Sequence, residues 1–185
     1  MKFFNRTLLI FLINLFSIFP VVAEEMPVPP KLQTVLFLKI LSYDRVIKSD
    51  IKIGVLYSSN TKSISVKNEI VSSFKSLSEQ KIGDVHFSVT EVSLGELSSL
   101  RSKDISVLYI TPENKSNMEM ITKAARSAGI MTITGVPSYV EDSFISVGIG
   151  VKENKKPEII VNLSSSKAEG RDFSAQLLKL AKVIK

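Results

Sequence analysis

A single histidine, His86, is the only imidazole in 185 residues, and there is no cysteine. A lone imidazole serves as general base only with a nucleophile and an orienting group within about 3 Å. The acids nearest in sequence are Asp84 and Glu91, and Ser88 and Thr90 share its side of an alternating segment. That setting reads as an ordinary strand-face histidine. The missing cysteines remove thiol nucleophiles, disulfides, Cys-ligated zinc and iron–sulfur clusters. One histidine also leaves no His-rich metal centre. The chain carries no Gly-x-Ser-x-Gly elbow, no His-Glu-x-x-His and no Gly-Lys-Ser phosphate loop. The expectation is a non-enzymatic protein with no catalytic residue, no metal and no cofactor.

Hydroxyl groups are the more abundant polar chemistry. Serine runs occur at Ser58-Ser59, Ser72-Ser73, Ser98-Ser99 and Ser164-Ser165-Ser166, and most fit helix caps and loops. Ser58, Ser59, Asn60 and Thr61 are different, because they follow an apolar strand and precede a helix. Ligands collect at that end of strands in open α/β sheets, and hydroxyls near a helix start can hold an anion. These four residues therefore form a small-ligand alternative, although no glycine cradle accompanies them. Gly135-Val136-Pro137-Ser138-Tyr139 reads as a turn, followed by Glu141 and Asp142, which leaves Tyr139 as an aromatic suited to a partner contact.

Net charge needs a correction before it is interpreted. Lys2 and Arg6 precede an apolar run, Leu8–Phe19, broken only by Asn14 and Ser17, and Val21-Val22-Ala23 leads into Glu24-Glu25. A basic start, about a dozen apolar residues and small residues before a polar stretch describe a secretory leader spanning residues 1–23. The run is shorter than the ~20 residues of a membrane span. Val21 and Ala23 would stand at the −3 and −1 positions of cleavage, so no stable membrane anchor is expected. Without the leader, 24 basic residues against 18 acidic become 22 against 18, and +6 falls to +4. Only Arg45, Arg101, Arg126 and Arg171 remain as arginines. The densest basic cluster, Lys152, Lys155 and Lys156, reads as a solvated turn. Dispersed charge and export together argue against a nucleic-acid partner.

The elements that must position these residues follow from periodicity. Residues 24–30 form a proline-rich linker, and 31–185 form one domain. Having 44% hydrophobic and 23% charged residues excludes wholesale disorder. Lys31–Tyr43 reads as a helix apolar nearly all round, with Leu32, Val35, Leu36, Ile40 and Tyr43 at helical spacing and Phe37, Leu38 and Leu41 elsewhere. Such a helix is core or is covered by a partner; Phe37, Leu38 and Leu41, with Tyr139 at the rim, are the candidate partner-binding residues. Strands are expected at 51–57, 85–92, 105–110 and 130–134, alternating with helices at 65–78, 94–100 and 114–128. Two further strands, 144–151 and 158–163, read as an antiparallel hairpin. Gly148 and Gly150 within it signal a bulge or a close approach of backbone. A helical turn at 164–169 and a last helix over 172–184, buried through Phe173, Leu177, Leu180 and Ile184, complete the chain. The expected fold is a single three-layer-like α/β domain, with a mixed sheet of about six strands flanked by helices and a C-terminal hairpin plus helix.

Four stretches carry a resemblance to a known family. They are Ser42-Tyr43-Asp44-Arg45, Ile53-Gly54-Val55-Leu56-Tyr57, Thr134-Gly135-Val136-Pro137-Ser138-Tyr139-Val140-Glu141, and Ile159–Leu163 followed by Ala168-Glu169-Gly170-Arg171-Asp172-Phe173-Ser174-Ala175-Gln176-Leu177-Leu178-Lys179-Leu180-Ala181. Over about residues 30–184 the chain resembles the YfiR-like family of small exported bacterial proteins. The resemblance implies a periplasmic, non-enzymatic regulator with a compact α/β fold. Its partner would be the periplasmic domain of an inner-membrane signalling protein, such as a diguanylate cyclase held inactive, with cyclic di-GMP and biofilm as output. Family members tend to dimerise, so a homodimer is expected. Lacking cysteine, this chain has no access to the thiol control or disulfides of some relatives.

Overall fold

The alternating apolar run Ile51–Tyr57 forms β1, which buries Ile51, Ile53 and Val55 on one face and Leu56 on the other. A strand apolar on both faces belongs inside a sheet covered on both sides. The computed structural model, which describes residues 24–47, 50–78 and 86–185, places β1 in that position. The leader expected at 1–23, and Val85 of the second expected strand, lie outside the described residues.

The chain runs through α1 (Pro30–Leu41), β1, α2 (Thr61–Ser78), β2 (Phe87–Ser93) and a 3₁₀ segment at Leu94–Ser99. It continues with β3 (Val107–Ile110), a 3₁₀ turn at Lys115–Asn117, α3 (Met118–Ala128), β4 (Met131–Thr134) and α4 (Pro137–Glu141). The last part is β5 (Val147–Val151), β6 (Pro157–Asn162), α5 (Leu163–Ala168), α6 (Ala175–Leu180) and β7 (Lys182–Ile184). Seven strands form one mixed sheet in the order β2-β1-β3-β4-β5-β6-β7. Pairing is parallel from β2 to β5, antiparallel between β5 and β6, and parallel between β6 and β7. The expected α/β fold and the β5–β6 hairpin are both present, with one strand more than the expected six.

Two cores cover the two faces. On one, Phe37, Ile40 and Leu41 of α1 and Ile70 and Phe74 of α2 pack with Phe173 and Leu177 onto Ile53, Tyr109, Ile133 and Val147. On the other, Leu97, Leu100, Met118, Ile121 and Ala125, with Tyr139 and Val140 of α4, cover Leu56, Leu108 and Ile110. The order β2-β1-β3-β4-β5 is that of a doubly wound sheet whose connections reverse direction between β1 and β3. The carboxyl ends of β1 and β3 therefore flank the crevice position at which such folds hold ligands.

Three expectations change. α2 starts at Thr61, one turn earlier than its apolar stripe suggests, because Asn60 Oδ1 accepts the Lys62 N–H at 2.8 Å and frames the first turn. The 135–139 turn continues into α4, entered through Pro137 at its first position. That helix lies against the sheet over Gly148 and Gly150: a Cβ on Gly148 would stand 2.6 Å from Val140 Cγ2, and one on Gly150 3.3 Å from Pro137 Cγ. The paired glycines thus mark a close approach, by a helix. Finally, the helix expected over 172–184 is only Ala175–Leu180. Leu180 is 58% exposed, and Ile184 lies in β7, not on a buried helical stripe. Val183 and Ile184 are β-branched, and the open edge of β6 offers them a ladder from Ile160 to Asn162.

Candidate functional site

The crevice position at the carboxyl ends of β1 and β3 carries a chain of buried hydroxyls. Ser63 Oγ and Thr111 Oγ1 lie 2.6 Å apart, and the Thr111 hydroxyl donates to Leu56 O at 2.9 Å. Ser63 also accepts the Ser58 N–H at 2.9 Å, which ties the start of α2 to the end of β1. Asn114, fully buried, donates through Nδ2 to Thr111 O and Oγ1 at 3.0 and 3.1 Å. Its Oδ1 has no partner among the described residues. Few buried polar atoms are left so.

Of the four expected ligand residues, Ser58 is buried against this network, and its hydroxyl points to Glu113 O at 3.4 Å. Asn60 is engaged in capping α2, and Ser59 and Thr61 are exposed. Ser63, Thr111 and Asn114 are the residues that sequence reading missed. Their one signal is position, immediately beyond strand ends or on the first turn of the following helix.

The loop after β3 turns sharply at Glu113, whose φ is +63°. Consecutive N–H groups following such a turn can converge on one anion. Here they converge on the chain's own carboxylate. Glu24 Oε2 accepts from the Glu113 and Asn114 N–H groups, the latter at 3.3 Å, and Oε1 accepts from the Lys115 N–H at 3.3 Å. The Tyr139 hydroxyl donates to Glu24 Oε2 and accepts the Asn114 N–H at 2.9 Å. Lys62 Nζ donates to Glu24 O at 2.7 Å and stands 3.4 Å from Glu113 Oε1. Burial, together with the adjacent Glu24 carboxylate, pushes the Tyr139 phenol far up, so it stays protonated and donates.

The residues after Glu24 continue over the same end of the sheet. Met26 Sδ lies 3.6 Å from the Tyr109 hydroxyl, which donates to Gln33 Oε1 at 2.8 Å. Gln33 Nε2 in turn donates to Val28 O at 2.6 Å. Gly135 leaves room for that amide, since a Cβ there would overlap the Gln33 side chain. Residues 24–30, expected as a linker, thus make hydrogen bonds to the folded domain.

The expected partner-binding residues lie elsewhere than on the surface. Phe37, Leu38 and Leu41 belong to one core, with the Phe37 ring edge-on to Tyr109 at 5.8 Å, and Tyr139 belongs to the other. An α1 packed on both α2 and the sheet has only a narrow solvent stripe, where Leu32 and Val35 are 42% and 39% exposed. His86 is exposed just before β2, near Asp50 and Ser88. Among the described residues no three His, Asp or Glu gather to hold a metal ion. No helix among them is long and apolar enough to cross a membrane.

The most distant of the four resembling stretches meet in space. Arg45 N donates to Asp172 O at 2.9 Å, and Ser174 N to Tyr43 O at 3.0 Å, around an isolated bridge between Asp44 and Phe173. Arg45 also pairs with Asp172 at 3.3 Å on the surface, while Arg171 approaches the buried Asp44 at 3.8 Å. These contacts fasten the end of α1 to the segment before α6.

Comparison with known proteins places this architecture. The solved structures it resembles include a conserved domain protein from Vibrio cholerae O1 biovar El Tor, with TM-score 0.59 and 18% identity over 85% of this chain and 60% of the other. Another is an ABC domain in complex with L-Trp from Streptococcus pneumonia, with TM-score 0.58, 12% identity and coverage of 85% and 62%. A third is the ligand-free, open structure of a substrate binding protein with adhesive properties from Clostridium difficile, with TM-score 0.57, 16% identity and coverage of 85% and 60%. At these identities the likeness is one of fold, and the chain spans about three fifths of each of these structures. A search of curated proteins finds no match. The model of one family does match, over residues 46–182. On that match, which takes in most of the chain, the protein belongs to the YfiR/HmsC-like family.

Proposed function

We propose that the protein is an exported regulator that binds the periplasmic domain of an inner-membrane signalling protein and holds it in its inactive state. A diguanylate cyclase is the partner class implied, with lower cyclic di-GMP as the output. Membership of the YfiR/HmsC-like family over residues 46–182 carries this reading. Physical chemistry is consistent with it. A domain that binds one receptor state more tightly by about 1–3 kcal/mol shifts that receptor five- to a hundredfold, and needs only a rigid surface. The exposed stripe of α1, with Leu32 and Val35 one turn apart, supplies an apolar contact between Lys31 and Lys39.

The test is a calorimetric titration of the protein onto the isolated periplasmic domains of the cell's inner-membrane cyclases and sensors. One domain binds, and Leu32→Lys combined with Val35→Lys weakens it at least tenfold without changing the melting curve. Failure of every domain to bind defeats the proposal.

A second reading, a small-ligand binding protein, draws on the crevice beside Ser58 and on two resembling structures, one an L-Trp complex and one a substrate binding protein. Against it, the chain spans about three fifths of those structures. A metabolite screen in which none raises Tm removes this reading.

A further inference from the structure

The seat of Glu24 is built like a ligand site. Three backbone N–H groups, from Glu113, Asn114 and Lys115, and one phenol, from Tyr139, are directed at a single carboxylate. They come from two separate connections, after β3 and after β4, at the crevice where the sheet reverses its winding. The phenol is fully buried and also accepts the Asn114 N–H, so its hydrogen is directed outward at the carboxylate. Charge-assisted hydrogen bonds of this kind, several on one carboxylate, are what hold a bound anion.

We propose that this crevice is a binding site for small carboxylates, and that the chain's own Glu24 occupies it as a tethered stand-in. Tethering explains how weak free carboxylates are kept out. A group held by a few residues of chain competes at an effective concentration in the millimolar range or above. The same segment is held further by Met26, packed against both cores, and by Val28, whose carbonyl accepts from Gln33. Pro29 and Pro30 join this segment to α1, and release of one would loosen the start of the other. That last coupling rests on the regulatory reading with its α1 contact surface; the carboxylate site does not.

The probe is acetate, with chloride at matched ionic strength as reference, and the readout is Tm of the purified protein. Glu24→Ala lowers Tm by a few degrees, acetate restores most of that loss, and acetate leaves the wild type unmoved. In Glu24→Ala combined with Tyr139→Phe, where one donor is gone, acetate recovers less than half as much. An equal acetate shift in all three proteins, or a Glu24→Ala variant that melts with the wild type, overturns the site. Should Glu24→Ala not purify folded, Glu24→Ser, which likewise vacates the seat, carries the same comparison. The readout needs no membrane partner. A failed titration of cyclase domains with a positive acetate rescue removes the regulatory reading alone, and the converse removes the site alone.

Discussion

Glu169 offers the sharpest quantitative test of the packing. It follows α5 and is almost completely buried, with its carboxylate turned to the β4–β5 side of the sheet. It accepts the Thr132 N–H at 2.9 Å, the Thr132 hydroxyl at 2.5 Å and the Ser146 hydroxyl. Burial favours the protonated form and these three donors favour the ionised one; burial wins, and the group rises from 4.5 to about 7. Below pH 4.5 both folded and unfolded chains hold the proton. As pH rises, the unfolded chain releases it first, so folded stability falls until the folded group ionises near 7. The full loss is about 3 kcal/mol, most of it between pH 5 and 8. Glu169→Gln removes the titration and keeps the shape, since the amide can accept from the Thr132 N–H and donate to a rotated hydroxyl. Denaturant unfolding of both proteins from pH 5 to 8 isolates the residue, because every other titrating group is common to the two. The wild type loses about 2–3 kcal/mol relative to Glu169→Gln across that range. Equal slopes would mean that Glu169 ionises as readily folded as unfolded, and burial would not be the governing cause. A wild type that gains stability with pH relative to the variant would show that the donors outweigh burial.

Four further substitutions test other links. Phe37→Lys places a charge where Phe37 meets Tyr109 in the core, so the protein unfolds or loses several kcal/mol by urea denaturation, whereas Leu32→Lys stays within about 0.5 kcal/mol of wild type. Gly148→Val drives a side chain into Val140 and lifts α4 from the sheet, costing about 1–3 kcal/mol or more by the same assay. Asn162→Ala removes the cap that accepts the Ser165 N–H at 2.9 Å and the amide that donates to Val140 O at 3.3 Å, lowering stability by about 1–2 kcal/mol.

How far these features could be read from sequence depends on how local their causes are. β1, α3 with Gly129 as its left-handed cap, and the β5–β6 hairpin follow from apolar period and turn chemistry within one segment. β7 does not, because Leu177, Leu180 and Ile184 fit a helical stripe as well as any real one. What ends that helix is an open strand edge supplied by residues some twenty positions away. Burial of Phe37, Leu38 and Leu41 is one of two readings of an all-apolar helix, and only the position of α2 decides between them. Tyr139 is a similar case: a turn with an aromatic looks like a surface contact until Gly148 and Gly150 are known to lie beneath it. Ser58 is legible because strand-end loops are where doubly wound sheets place ligands. Glu24 and Asn114 are not, since their meeting joins residues ninety positions apart.

Cyclic di-GMP measured in cells reads the proposed restraint at its output. Three strains are compared: one exporting the wild-type protein, one lacking it, and one exporting the Leu32→Lys, Val35→Lys variant at the same periplasmic level. Restraint of a cyclase through the α1 stripe predicts a raised nucleotide level in the second and third strains and a low level in the first. The same level in all three strains would contradict it.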